Sequence, residues 1–304
     1  HDSVYGVGDN VEYGDIFDVM GSGGGEGPAN TNQQVSSFSG HFNPVGKNNL
    51  SWLTDAYITT GQNGTTYRIY VYDTPRLVEG RRYALKVEKD AQRTYWISAR
   101  GKLTDHWSTN SVEVHWGQWQ QSLGYSLLLD TTPGSPYGRQ DSGIVLGRTF
   151  GDEESKVYIT PIARSGTGTN IYFDVVVFRG VATNNVAPEV ELTASTNTVA
   201  VGAPVTFTAN AFDANSDALS YYWDFSDAQF GPNSSTVTRT FAQAGEYLVR
   251  VEVSDMRGGK TTKHLVVTVG SPTSMRISGF VVDTFGNPVR DARVSGFVQA
   301  LGVL

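Results

Sequence analysis

The chain has 304 residues, of which 39% are hydrophobic, 12% aromatic and 17% charged, and its net charge at pH 7 is −7. The length allows two or three domains, and without a basic run or an apolar run near about 18 residues the sequence favours neither nucleic-acid binding nor a membrane-spanning helix. Because cysteine is absent, disulfides, thiol catalysis and cysteine-based zinc sites are excluded, and stability must come from core size or from bound calcium.

The most distinctive stretch is residues 12–23, EYGDIFDVMGSG. It has no helical or strand period, it is acidic and then glycine-rich, and Met20 stands where the chain turns. The stretch resembles the Met-turn of metzincin-type zinc peptidases, in the form found in secreted gametolysin-like and related bacterial enzymes. The resemblance implies that Met20 forms an apolar floor beneath a zinc ion held by three histidines. It would not ligate the metal itself, since thioether sulfur is a poor zinc ligand.

The same resemblance implies a role for His1. In metzincins the Met-turn follows the motif H-E-x-x-H-x-x-G-x-x-H, whose histidines bind zinc and whose glutamate is the general base on the zinc-bound water. His1 lies nineteen residues before Met20, as expected of the third zinc ligand, with the glutamate and the other histidines upstream. On this interpretation the chain alone holds no catalytic residue and is inactive. The alternative is an incidental terminal histidine.

Residues 1–54 are interpreted as the C-terminal end of the peptidase catalytic domain. Residues 40–53, GHFNPVGKNNLSWL, resemble a short helical region that packs back on that domain in the family. Asn48 and Asn49 are poor helix formers, so we expect the helix to be short. His41 is either a metal ligand or a structural histidine that hydrogen-bonds within the fold, and the structural role is favoured.

Residues 55–182 change character, with about eight alternating or apolar runs separated by glycine, proline, asparagine and aspartate. This pattern predicts an antiparallel β-sandwich. Its phrases YWISAR, VHWG and LLLDTTPGS resemble the accessory sandwich that follows the catalytic domain in these peptidases. The clearest runs are residues 67–72, 83–87, 94–99, 112–116, 126–130, 157–160 and 171–177.

Two sets of residues in this sandwich allow a functional alternative. His106 and His115, each followed by a tryptophan, would suit a metal pair or an aromatic sugar-binding platform. On strands, however, aromatic residues are more often core or cross-strand partners, and that interpretation is favoured. The acidic run 152–154 is most simply a turn, with calcium binding as the alternative, because no complete ligand spacing appears.

After a linker over residues 183–189, residues 188–270 resemble a PKD domain, an immunoglobulin-like sandwich. The resemblance rests on YWDFSD at 222–227, close to the family's WDFGDG. We expect Trp223 and Phe225 to point into the core, while Asp224 points away and bonds the following turn. Ser226 replaces a usual glycine, so the turn is expected to differ. The motif residues are Trp223, Asp224, Phe225, Asp227 and Gly245, the last permitting a tight bend before a long strand.

Within this region, residues 213–217 show the D-x-N-x-D spacing of calcium loops. Ala218 stands where an EF-hand has glycine, and the flanking residues have the alternation of strands rather than of helices. The sequence therefore does not favour an EF-hand. A solvated turn is the default interpretation, and calcium binding is the alternative.

Residues 275–304 follow a second linker and resemble the opening strands of a carboxypeptidase-regulatory-like or prealbumin-like domain. Only the first strands of such a module are present. The chain is therefore expected to be truncated at this end, as it is at His1.

Taken together, the sequence predicts a mainly β protein with a catalytic-domain tail, an accessory sandwich, a PKD sandwich and a truncated β-module. The function implied is the C-terminal part of a secreted zinc-dependent metallopeptidase that acts on protein or peptide substrates. Its β-modules would serve spacing or binding to extracellular matrix or cell-surface polymers, with calcium as a second possible metal. The alternatives are a non-catalytic adhesin or glycan-binding protein and, less favoured, an accessory region of a glycosidase.

Overall fold

The structure, a computed structural model, describes residues 15–18, 41–103, 106–117, 126–133, 135, 138–226 and 229–271. These residues are mainly β, as predicted. In these ranges no helix has the length and hydropathy needed to cross a membrane. His1, Met20, Asp227 and the module predicted at 275–304 lie outside the described residues.

The first half of the described chain is a β-sandwich of two sheets. One sheet has the strand order β1-β3-β4-β5-β6 with β7 also paired to β5, and the other has the order β2-β10-β9-β8. Every pair is antiparallel except β1 with β3. Each of the seven predicted runs overlaps one of these strands. The strands are β1 (Ile58–Thr60), β2 (Thr65–Tyr70), β3 (Ala84–Glu88), β4 (Thr94–Ser98), β5 (Ser111–Gly117), β6 (Leu127–Leu128), β7 (Ile144–Val145), β8 (Phe150–Asp152), β9 (Val157–Ser165) and β10 (Tyr172–Arg179).

The main core lies between these two sheets. Phe173, Val175 and Val177 of β10 are fully buried and alternate with partly exposed neighbours. Tyr95 and Ile97 of β4 enter the same core from the facing sheet. The period-two alternation of the sequence therefore sets which face of each strand is inside, as expected for a half-buried strand.

The outer face of the first sheet is also covered. Helix α1 (Pro44–Asn49) is short, as predicted; Asn43 caps it by accepting the N–H of Gly46 at 2.9 Å. Val45 and Leu53 pack with Tyr83 and Trp96 of the sheet in a second apolar cluster. A second short helix, α2 (His106–Thr109), leads into β5, which is buried along its whole length.

The second half is a smaller sandwich of two sheets, with the orders β11-β13-β15 and β12-β17-β16-β14. Trp223 and Phe225 are fully buried with their rings nearly parallel, at an interplanar angle of 2°. Phe207 packs against both rings from the facing sheet. The strands are β11 (Glu189–Ala194), β12 (Thr198–Val199), β13 (Pro204–Phe212), β14 (Ser220–Asp224), β15 (Thr236–Thr240), β16 (Gly245–Ser254) and β17 (Lys260–Val269).

The two sandwiches contact each other directly. The rings of Trp107 and Phe230 lie with their centroids 4.4 Å apart. The amide of Asn233 donates to the carbonyl oxygen of Ile162 at 2.9 Å. An aromatic contact and a hydrogen bond therefore link the domains besides the connecting chain.

Candidate functional site

Residues 15–18, from the acidic stretch identified in the sequence, lie on the outer face of the first sheet. Ile16 and Phe17 are buried in an apolar cluster with Leu103 and Leu128. The carbonyl oxygen of Phe17 accepts a hydrogen bond from the guanidinium of Arg100. This part of the stretch is therefore built into the fold of the sandwich.

Two carboxylates fix this segment. The Oδ2 of Asp18 accepts the backbone N–H of Asn43 at 2.7 Å, so the segment is bonded to the residue that caps α1. The Oδ2 of Asp15 lies 3.0 Å from Nε2 of His115, whose side chain is fully buried. The amide of Asn43 also lies 3.4 Å from Asp15 and donates to Ser126.

The protonation of Asp15 and His115 agrees with an ion pair. Burial alone would raise the pKa of Asp15, but the charge of His115 and hydrogen bonds from His115, Phe17 and Asn43 hold the pKa below its usual value. Burial alone would lower the pKa of His115, but Asp15 and then Glu113 raise it above its usual value. The charged forms are therefore favoured on both sides.

Glu113 lies on the same face of β5 as His115, but its environment favours the uncharged form. Burial raises its pKa to about 7, against the opposing charges of Arg100 and His115. The hydroxyl of Tyr72 donates to its Oε2 at 3.1 Å. This set of buried groups fastens the segment to the sheet, and its hydrogen bonds are internal to the fold.

Three of the four histidines and tryptophans singled out in the sequence can be placed, and these three contribute to packing. His115 is committed to Asp15, and the side chain of His106 lies outside the described part of the chain. Trp116 is buried in the core, as predicted. Trp107 instead lies on helix α2 and packs against Phe230 of the second sandwich.

His41 packs against the first sandwich. Its Nδ1 is buried with no hydrogen-bond partner, and its ring meets the edge of the Tyr72 ring at 6.0 Å between centroids. The acidic run 152–154 differs from a plain turn, because Asp152 is fully buried and paired with Lys89.

The residues described contain one group of three or more side chains placed to hold a metal ion. Asp213, Asp217 and Asp255 each offer a carboxylate oxygen, and these atoms lie within 4.8 Å of one another. Asp213 and Asp217 come from the turn between β13 and β14, and Asp255 follows β16. The flanking elements are strands, so the arrangement is not an EF-hand, as predicted.

Backbone hydrogen bonds orient two of the three carboxylates. Oδ1 of Asp213 accepts the N–H groups of Asn215 at 2.9 Å and Asp217 at 3.0 Å. Oδ1 of Asp255 accepts those of Arg257 and Gly259, at 2.6 and 3.0 Å. The remaining oxygen of Asp213 is buried and has no hydrogen-bond partner. A buried carboxylate oxygen with no donor is costly unless a cation or water satisfies it.

The cluster keeps an excess of negative charge. Burial and the charges of Asp213 and Asp255 raise the pKa of Asp217, although Arg257 opposes the shift from 2.9 Å. The amide of Asn185 donates to Asp255 at 2.6 Å. Three carboxylates thus face one guanidinium and one amide donor.

This donor set fits calcium. Calcium takes six to eight oxygen ligands in flexible geometry, whereas zinc prefers imidazole and thiolate. The D-x-N-x-D spacing pointed to Asp213 and Asp217, but it missed Asp255, which only the folding of β16 back onto β14 brings near. The signal available in the sequence was an aspartate directly after a long alternating strand.

Trp223 and Phe225 of the motif point into the core of the second sandwich. Asp224 points away from the core, where its Oδ1 accepts the N–H of Ser226 at 2.9 Å. Ser226 adopts the left-handed conformation, with φ of 57°, and so fills the conformational role of a glycine. Gly245 opens β16 without a positive φ, and an added Cβ would meet only the Tyr247 ring at ordinary contact distance. A bend that requires glycine is therefore not found there.

Comparison with protein families decides the identity of this sandwich. The family model of the PKD domain matches residues 185–269. This part of the chain is a PKD domain. PKD domains occur in extracellular proteins, including peptidases. A comparison with the curated proteins gives no match.

Several solved structures are similar to between 29% and 30% of the chain. One, described as carbohydrate-binding modules of the β-sandwich superfamily, is 30% identical and covers 30% of this chain, with a TM-score of 0.27. The chain spans 37% of that structure. The PKD1 domain of Vibrio anguillarum Epp is 27% identical, covering 29% of this chain and 100% of its own, with a TM-score of 0.25. The PKD domain of an M14-like peptidase from Thermoplasmatales archaeon SCGC AB-540-F20 is 20% identical, covering 29% and 96%, with a TM-score of 0.26.

Proposed function

We propose that this chain belongs to a secreted zinc-dependent metallopeptidase, in which the described residues form a rigid, non-catalytic arm. The observation that carries the proposal is the attachment of residues 15–18, part of the Met-turn-like stretch, to the accessory sandwich. The pair of Asp15 and His115, 3.0 Å apart, and the buried aliphatic side chains around Phe17 make residues 15–18 and the sandwich one packing unit. A sandwich that holds this turn would hold the floor of the zinc site in place.

The zinc chemistry itself rests on residues outside the described part. His1 would be the third ligand, Met20 would lie beneath the metal, and a glutamate upstream of His1 would be the general base. Zinc bound there would lower the pKa of its water and make it the nucleophile on a peptide bond. The role left to the described residues is to position the turn.

The test is proteolysis by the protein expressed from its whole open reading frame. We expect it to hydrolyse casein, to lose activity with 1,10-phenanthroline and to regain it with added zinc. His1→Ala should abolish both the activity and the bound zinc measured by atomic absorption, because three imidazoles are needed to hold a catalytic zinc.

His264→Ala is the matched control, since this histidine is exposed on β17 of the PKD domain. It should leave activity and zinc content unchanged. If the whole protein has no chelator-sensitive peptidase activity, the peptidase proposal fails. Binding on a glycan array together with that result would favour the adhesin alternative.

We also propose that the PKD domain binds calcium at Asp213, Asp217 and Asp255. The buried, unpartnered oxygen of Asp213 supports this, together with the excess of negative charge around it. A bound ion would hold the 213–217 turn against the end of β16, which is a structural role suited to a chain without disulfides.

Calcium binding is measured by calorimetric titration of the 304-residue chain and by its thermal unfolding with calcium and with EDTA. We expect one site and a melting temperature several degrees higher at millimolar calcium. Asp213→Asn should remove both effects, whereas Asp55→Asn should keep them, because its side chain is 89% exposed on the other sandwich. Unchanged melting of the native chain in calcium and EDTA would exclude the site.

A further inference from the structure

A separate cleft opens beside helix α1, with a volume of about 380 Å³. It is lined by residues from α1 and its flanks and by the loop at 74–77 between β2 and β3. Its size falls in the range of clefts that hold small ligands. None of its residues takes part in the zinc or calcium proposals.

Lys47 places a buried positive charge in this cleft. Its Nζ donates to the carbonyl oxygen of Tyr72 at 3.0 Å and lies over the Tyr72 ring, 5.1 Å from the centroid. Among the described residues no carboxylate lies within ion-pair distance of it. Because a buried cation without a counter-ion is unfavourable, an anion in the cleft would stabilise it.

Asp73, the carboxylate whose charge acts on Lys47, already accepts other hydrogen bonds. Its two oxygens accept the N–H groups of Gly101 at 2.7 Å and Lys102 at 2.9 Å, and Arg100 lies 3.5 Å away. Burial lowers the pKa of Lys47 to about 8, with Asp73 opposing this shift and Arg100 and Lys102 adding to it. Positive charge therefore exceeds negative charge on this side of the cleft.

Two further polar side chains line the cleft. The Nδ1 of His41 is buried without a hydrogen-bond partner, and burial and the charge of Lys47 lower the pKa of the ring to about 4, so it is neutral at pH 7. Arg76 stands at the exposed rim, and no residue in the described ranges forms an ion pair with it. The lining of the cleft thus contains two cations, the buried Lys47 and the exposed Arg76, and the neutral imidazole of His41.

The rest of the lining is apolar. Trp52 is 59% exposed, an unusual position for so large a ring, and it packs edge-on against Phe42 with centroids 5.3 Å apart. Leu77 and Pro75 also line the cleft. A ligand that fits must therefore carry an apolar group next to its negative charge.

We propose that this cleft binds the carboxyl terminus of a peptide whose last residue is hydrophobic. The terminal carboxylate would pair with Lys47 and Arg76, and the last side chain would lie against Trp52 and Phe42. An acidic polysaccharide shares the charge, but it lacks the apolar side chain that these walls require. The inference does not depend on the peptidase proposal, since it concerns binding by the described residues alone.

The test is calorimetric titration of the 304-residue chain with acetyl-Ala-Ala-Phe and with the same peptide ending in an amide. We expect the free acid to bind with a dissociation constant at least about tenfold lower than that of the amide, because only the acid pairs with the two cations. Equal affinities, or binding of oligogalacturonate with no binding of either peptide, would overturn the proposal.

The variants test each wall of the cleft. Trp52→Ala and Arg76→Gln are exposed changes that leave the core intact, and each should weaken binding of the acid severalfold. Phe212→Ala and Lys263→Gln remove an exposed ring and an exposed cation from the PKD domain and should have no effect. Lys47→Met should abolish binding with an unchanged circular dichroism spectrum. Full affinity in both Trp52→Ala and Arg76→Gln would contradict the assignment.

Discussion

Lys89 and Asp152 form an ion pair whose side chains are both fully buried, with Nζ 2.5 Å from Oδ2. The hydroxyl of Tyr95 donates to the same oxygen at 2.7 Å, and Oδ1 accepts the N–H groups of Glu154 and Ser155. Burial would raise the pKa of Asp152, but hydrogen bonds from Lys89 and Tyr95 hold it below its usual value. Because both side chains are shielded from water, each charge is stabilised by these internal partners and not by solvent.

Removing one charge of this pair should be costly. Asp152→Asn keeps the size of the side chain but leaves the buried Lys89 with only the exposed carboxylate of Glu154, 3.7 Å away, as a counter-ion, and we expect it to lower the free energy of unfolding by about 3 kcal/mol in urea denaturation. Glu153→Gln is the control, because Glu153 pairs with Lys156 at the surface, where a pair contributes less than about 1 kcal/mol. Similar losses in the two variants would show that Lys89 is not dependent on Asp152.

Strand β5 has one face whose burial the sequence predicts and another whose burial it does not. The alternation of Val112, Val114 and Trp116 with polar residues correctly predicted a strand with an inner face. The same alternation indicates a solvated outer face, yet Glu113 and His115 are buried. Residues 15–18 and helix α1 cover that face, and no local pattern encodes a contact between positions about a hundred residues apart. The sequence predicted only two members of the candidate metal cluster for the same reason. Asp255 is distant in the chain and comes close to them only because β16 pairs with β14.

This buried polar face should make stability depend on pH through Glu113. Its pKa is about 7 in the folded chain and 4.5 when exposed, so between these values the folded state holds a proton that the unfolded state has lost. The free energy of unfolding contributed by Glu113 therefore falls as pH rises from 4.5 to 7. Glu113→Gln lacks this loss and can still accept the hydrogen bond of Tyr72.

The measurement is the difference in the free energy of unfolding between Glu113→Gln and the native chain, from pH 4 to pH 8. We expect the difference to move in favour of the variant by roughly 3 kcal/mol as pH rises. Taking the difference removes the contributions of groups that do not interact with Glu113, such as His41, whose pKa burial lowers to about 4. Glu191→Gln, at an exposed position on β11, should give a flat difference. A flat profile for Glu113→Gln would mean that Glu113 is ionised throughout.

At the scale of the whole molecule, the structure joins the two sandwiches at several points around the linker. Arg257, which pairs with Asp217 of the acidic cluster, also lies over the Phe178 ring of the first sandwich at 5.2 Å. Gly147 lies so close to the carbonyl oxygen of Tyr221 that a Cβ there would collide with it. The PKD domain is thus positioned by packing as well as by its linker, which suits an arm that holds a fixed direction.

Gly147→Ala should separate the two domains in unfolding. Gly147 has a φ of 83°, so the variant carries backbone strain as well as the collision with Tyr221. Gly64→Ala is the control for backbone strain alone, since Gly64 has a φ of 70° and no heavy atom lies within 4 Å of an added Cβ. We expect this control to lower the free energy of unfolding by roughly 1–2 kcal/mol. In calorimetry Gly147→Ala should lose more than this and divide the unfolding of the native chain into two transitions, because the interface no longer couples the sandwiches. If both variants lose the same stability in a single transition, the contact at Tyr221 does not hold the domains together, and the arm bends at its linker.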